Sequence, residues 1–271
     1  MQPGSADDDG SRAVLRPSLA PRRSRRWRRA GLAGLVAVGL CGLAVSAAGV
    51  ASQVLPRRFS VAQQHKIEAW EVARRWRALP ESAIFPATVA YRLSGTDLYS
   101  NQSLPLTARR LAVSTPATCQ NGTSPTAARV LGRYRCAALL RATYTDATGS
   151  MVATVGVAVL SGSTEASTAE GELGRPAQGA PPDSVRPAAV PGTLASRFDD
   201  RQRQVNVNSR SGPYLILATV GYANARPRVD MTDDPYLKVE MTSLAQGLET
   251  AVTSVLGPPP AVPSCPGAPG C

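Results

Sequence analysis

From Ala30 to Val54 the chain carries no charged side chain, and six arginines crowd the segment just before it, Arg22 to Arg29. No other feature restricts the fold as strongly. Ala30–Ala51 holds only Ser46 as a clearly polar residue, and about 20 such residues cross a bilayer core as a helix. Lipid offers backbone groups no partners, so a helix is the only solution for a single span. The arginine cluster outweighs the later pair Arg57–Arg58. The positive-inside bias therefore puts the N-terminus in the cytoplasm and the chain from about Gln53 onward outside.

A cleaved leader is the rival reading. Val45-Ser46-Ala47 and Gly49-Val50-Ala51 offer small residues at the spacing a signal peptidase reads, but the apolar run exceeds the roughly 7–15 residues of a leader core. Ser24-Arg25-Arg26 hints at a twin-arginine signal, yet Arg28 and Arg29 stand where apolar residues are preferred. Bulky Leu40 before Cys41 argues against a lipidation site. A retained anchor is favoured, and both readings share an extracytoplasmic destination.

The 271 residues, less tail and anchor, suffice for one domain of ordinary size. Aromatics make up 5%, so the core must be built from Val, Leu, Ile and Ala. Of the net charge of +11, +5 falls on residues 1–29, where eight Arg oppose three Asp. The densest basic run thus reads as an orientation signal and a contact for anionic membrane lipid, and nucleic acid is not expected as a partner. Lysine occurs only at 66 and 238. With the Ala, Gly and Pro load, this resembles a high-GC bacterial coding bias.

Cys119, Cys136, Cys265 and Cys271 all fall on the outer side, where an oxidising compartment lets disulfides close. Four cysteines allow three full pairings. The local one, Cys119–Cys136 with Cys265–Cys271, is favoured over free thiols. No CxxC motif is present.

Residues 1–20 are polar, with an Asp7-Asp8-Asp9 run, and read as a disordered tail. Ser60 to Pro80 reads as a helix, capped by Ser60 and stopped by Pro80. Its Trp70 and Trp76 are expected to pack on the outer domain rather than lie at the membrane interface. Ala83–Leu93 reads as a strand that Pro86 places at an edge or bulge, and Arg109–Ser114 as a weaker strand. Ser124–Gly132 has the Ser, Pro, Gly order of a short helix. Cys136–Leu160 is the clearest β signal, a hairpin turning at Asp146–Ser150 whose second strand is central. Residues 163–173 suit a short helix, and 174–191 a flexible loop. Arg201–Ser209 suits an edge strand, and Gly212–Arg226 a central strand with Gly221 marking a bulge. The last helix is capped by Asp233 or Asp234, opened by Pro235 and ended by Gly257.

Chemistry is sparse. The single histidine, His65, lies in a polar helix with no cysteine nearby and reads as solvated rather than as the base of a Ser–His–Asp set, and the count excludes a multi-histidine zinc site. Asp199–Asp200 and Asp230 with Asp233–Asp234 are the carboxylate pairs that could do glycosidic chemistry. Their plainer reading is a solvated turn and a helix cap. No P-loop, GxGxxG helix or EF-hand spacing appears, and the Asn101 and Asn121 sequons carry no weight under a bacterial coding bias. No catalytic, cofactor or metal residues are assigned.

The arginine run, the anchor, "WRALPESAIFPATVAY", "CAALLRATYTDATGSMVATVGVAVL" and "GPYLILATVGYANAR" resemble single-pass membrane proteins of high-GC actinobacteria whose activity is uncharacterised, over residues 20–257. The resemblance implies no activity and supplies no site residues.

The resulting plan has a basic cytoplasmic tail (1–29), a transmembrane helix (30–52) and a juxtamembrane amphipathic helix (53–82). An extracytoplasmic domain (83–257) and a Pro-rich tail (258–271) follow. The domain's fold class is α+β, an antiparallel sheet with helices packed on one face. The functional expectation is a non-catalytic module that binds or assembles an envelope component. An envelope hydrolase using the paired acids is one alternative. The other is a small-ligand sensor whose pocket is lined by the hairpin and the Gly212–Arg226 strand.

Overall fold

The computed structural model describes residues 60–93, 104–174, 183–229 and 235–257. The chain divides into two units, Met1–Arg58 and Phe59–Cys271, and every described residue belongs to the second. The expected tail, anchor and Pro-rich end fall outside the described residues, as do Cys41, Cys265 and Cys271. Among the described residues no helix is long and apolar enough to cross a membrane.

Helix α1 (Val61–Ala78) opens with a full capping box. Ser60 Oγ accepts from Gln63 N, and Ser60 N donates to Gln63 Oε1 at 2.9 Å. One turn, α2 (Glu81–Ile84), precedes β1 (Thr88–Leu93), so the strand expected from Ala83 begins five residues later. The delay has a packing cause: Ile84 and Phe85 plug the core, and the buried Tyr144 hydroxyl holds the Pro86 carbonyl at 2.9 Å. Then come β2 (Leu104–Ala117), a turn α3 (Cys119–Gly122) and α4 (Pro125–Arg133). The predicted hairpin appears as β3 (Ala138–Asp146) and β4 (Met151–Val159), followed by α5 (Ser163–Leu173), β5 (Arg203–Ser211), β6 (Tyr214–Tyr222) and α6 (Pro235–Leu256).

Among the described residues six strands form one antiparallel sheet in the order β1-β2-β3-β4-β6-β5. Helix α6 touches both edge strands, β1 and β5, as well as β4 and β6 between them. A flat six-stranded sheet would be about 24 Å across at ~4.8 Å per strand, twice the diameter of a helix with its side chains. The sheet therefore curls around α6 as a half-barrel.

The side-chain alternation divides the core in two. Leu140, Ala142 and Tyr144 of β3, with Val155, Val157, Ile216 and Ala218, face α6, whose Met241, Leu244, Leu248, Val252 and Leu256 fill the trough. Leu139, Ala158, Leu215 and Leu217 point the other way, onto α4, α5 and Cys119. Helices thus stand on both faces, which corrects the one-face expectation. Every residue of β4 and of β6 is buried, the behaviour of strands covered on both sides.

The described part of the expected flexible loop is an ordered strap across the second face. Ser124 N donates to Ser184 O at 2.9 Å, and Arg186 N to Gly122 O at 2.8 Å. Thr143 and Thr154 pair their hydroxyls at 3.2 Å. The first donates to Ala188 O at 2.7 Å and the second accepts from Ala188 N at 3.1 Å. Two strand threonines thereby satisfy a backbone that would otherwise lie buried without partners.

Gly221 marks a close approach rather than a bulge of its own strand. A Cβ there would lie 2.4 Å from Gln202 O, and the extra residue sits across from it, where the register shifts between Arg203 and Val205.

Candidate functional site

A groove of about 490 Å³ runs between β1 and α6. Its floor comprises Thr88 through Arg92 consecutively, and its wall is the α6 stripe Ser243, Gln246, Gly247, Thr250, Ala251 and Ser254. Five successive residues of the strand line it. A second hollow of about 280 Å³ continues it, sharing Arg92, Ser243 and Gln246 and adding Lys238, Val239 and Thr242.

The groove exists because α6 sits hard against β1. A Cβ on Gly247 would lie 2.3 Å from Tyr91 Cβ, so only glycine lets the helix approach this closely. Tyr91 is buried beneath the contact. Burial pushes its hydroxyl up to about 12, and the charges of Asp146 and Glu240 add to the effect. Burial also raises the Glu240 carboxyl, with Asp146 contributing.

Among the described residues β1 is an edge strand, and its ladder alternates in a fixed phase. Arg110 N donates to Ala87 O at 2.9 Å, and Thr88 stands opposite Arg109. Hydrogen-bonded pairs alternate along an antiparallel ladder. The N–H and C=O groups of Thr88, Ala90 and Arg92 are therefore aimed away from β2, toward the groove. The same three residues have exposed side chains, while Val89 and Tyr91 are buried.

The acids singled out from sequence sit elsewhere. Asp199 braces a turn, accepting from Arg201 N at 2.7 Å. Asp200 lies between Arg186 Nε at 3.4 Å and Arg203 Nε at 3.2 Å. Both acids thus act in the turn that leads into β5. Asp230, Asp233 and Asp234 lie outside the described residues. His65 is exposed and sits 3.4 Å from Glu68. Cys119 and Cys136 form a disulfide that ties the turn after β2 to the approach to β3. Among the described residues no group of three or more His, Cys, Asp or Glu is placed to hold a metal.

One carboxyl escaped notice in the sequence. Glu249 of α6 is 5% exposed, its Oε1 is buried without a hydrogen-bond partner, and burial lifts its carboxyl to about 8 against the opposing pull of nearby Ser209 of β5. The groove escaped notice too. Its signals were the alternation Thr88-Val89-Ala90-Tyr91-Arg92 and the small residues at helical spacing from Ser243 to Ser254, both of which suit an ordinary packed element equally well.

No protein family, curated protein or solved structure matches the chain.

Proposed function

We propose that this chain is a membrane-anchored extracytoplasmic module of the cell envelope that works by binding rather than by catalysis. The anchor is the uncharged span behind the arginine cluster, in contact with membrane lipid. The partner is an envelope protein. The observation that carries the binding reading is the groove between α6 and β1, the strand that ends the sheet among the described residues. The hydrolase alternative finds no support at Asp199 and Asp200, which are engaged with the backbone and with two arginines. The sensor alternative draws no support from β4 and β6, whose residues are all buried.

The test is photo-crosslinking in living cells from exposed positions spread over the domain, Ala90, Leu194 and Arg129, with a reporter fused beyond Gly257 to establish topology. Adducts to an envelope protein and an externally placed reporter are expected. A cytosolic reporter, or no adduct from any position across several growth states, overturns the reading.

A further inference from the structure

Resting on the membrane-anchored reading above, we infer that the exposed face of α1 docks on the anionic phospholipid surface from which the chain emerges.

Helix α1 has two unlike sides. Val72 belongs to the main core, and Trp76 and Leu79 pack against it. On the other side Ala62, Lys66, Ala69, Ala73 and Arg77 are all exposed. Residues three and four apart are neighbours on a helix surface, so these five form one stripe, about 22 Å long at ~1.5 Å per residue. Arg74 is exposed beside it. The two acids of α1, Glu68 and Glu71, fall outside the stripe and are half-buried.

Relief and charge define the occupant. Alanine at three of the five positions leaves a low, neutral surface. A helix that penetrates among acyl chains carries Trp, Phe or Leu on its buried face, and this stripe has none. It carries cations instead, and so rests on headgroups. Lys66, Arg74 and Arg77 form no ion pair among the described residues. The Arg74 guanidinium lies 4.3 Å over the Trp70 ring, and that of Arg77 4.5 Å over Trp76. These stacks restrain two long side chains in advance, which lowers the entropy lost when their donors engage phosphate oxygens.

The chain itself brings the surface within reach. Only residues 55–59 separate Ser60 from the end of the uncharged stretch at Val54; they include Arg57 and Arg58 and no acid. A chain extends at most about 3.5 Å per residue, so Ser60 stays within about 20 Å of the bilayer. Lipid is therefore present at high effective concentration before any diffusing partner arrives. Each Lys or Arg near an anionic bilayer strengthens binding roughly fivefold, and the attraction fades beyond about 8–10 Å at physiological salt. Lys66, Arg74 and Arg77 share it only when α1 lies along the surface. An acidic protein would need carboxylates matched to this row, whereas a bilayer supplies phosphates wherever the helix lies.

The experiment places a photo-crosslinking residue at Ala73 of the full-length protein, reconstituted in vesicles of phosphatidylcholine with or without phosphatidylglycerol, and reads adducts by mass spectrometry. Arg129 of α4, which packs on the other face of the sheet, is the control position. Phospholipid adducts at Ala73, about tenfold or more above Arg129, are expected with phosphatidylglycerol at low salt. They should fall about tenfold or more when phosphatidylglycerol is omitted or salt is raised, both with the stripe intact. The double reversal Lys66→Glu with Arg77→Glu should do the same while the thermal melt is retained. Adducts indifferent to lipid charge, to salt and to the reversal overturn the inference, as do equal adducts at Ala73 and Arg129. Capture of a protein or of a second copy of this chain from Ala73 in the expressing cells overturns it too. Vesicle-bound protein that resists alkaline carbonate yet gives no lipid adduct at Ala73 overturns the inference alone. Protein that carbonate strips from the vesicles removes the anchor and the inference together.

Discussion

The Tyr214 hydroxyl, from the start of β6, donates to the Val72 carbonyl in α1 and accepts from Trp76 N at 3.3 Å. A buried phenol thus engages one turn of the first helix at both its donor and its acceptor. Val72 is in the main core, and Trp76 and Leu79 pack against it. Tyr214→Phe keeps the ring and removes the hydroxyl's link to α1, while Val72 O and Trp76 N, four residues apart in the helix, are left to bond each other. We expect a loss of about 1 kcal/mol, a fall of roughly 2–4 °C in Tm, and faster amide exchange confined to α1.

Glu249 makes stability depend on pH in a definite direction. Its folded carboxyl is lifted to about 8 from an unfolded value of 4.5. Between those values the native state holds a proton that the unfolded chain has released, so stability falls as pH rises through that window. Glu249→Gln should flatten the pH dependence of Tm from about 5 to 8. At pH 8 it should raise stability by about 4 kcal/mol, roughly 12 °C. Thermal melts across this range check both the sign and the size. An unchanged slope contradicts the assignment.

Gly247→Val should lift α6 from β1. The branched side chain meets Tyr91 at a position where even a Cβ does not fit, and overpacking of this kind typically costs about 1–3 kcal/mol. Denaturant titration should show a lower midpoint with the slope retained.

Removing the Cys119–Cys136 bridge as the double serine variant should cost about 3 kcal/mol, as expected for a closed loop of this size. The bridge spans 17 positions. Melting with and without reductant should separate wild type into two curves and leave the variant with one.

Much of the fold could be read locally. The β3–β4 hairpin, α5 and α6 each announce themselves within a single stretch of sequence. Ser60 carries its own cap, and Pro125 starts its helix where expected. The elements that were misjudged depend on distant partners. The 183–199 strap looks structureless because its hydrogen bonds come from Thr143 and Thr154, more than thirty residues earlier. The turn at Glu81–Ile84 depends on Tyr144 reaching back to Pro86. The two-sided packing was announced by the unbroken apolar run Met151–Val159, which suits a strand covered on both sides better than a half-wet one. Of the site, the alternation of β1 was visible. Its phase was not, because that comes from the Ala87–Arg110 pairing.

Arg75 of α1 extends its guanidinium to the carbonyls of Val255 and Leu256, at 3.2 and 3.5 Å, where α6 ends. A cation at that place offsets the negative pole of the last helix. The consequence is a clasp between the opening and closing helices of the domain. Trimming the chain to Glu81 to obtain a shorter fragment would strip the final turn of α6 of its counter-charge, and any tension applied at residue 60 would be felt first at the far terminus.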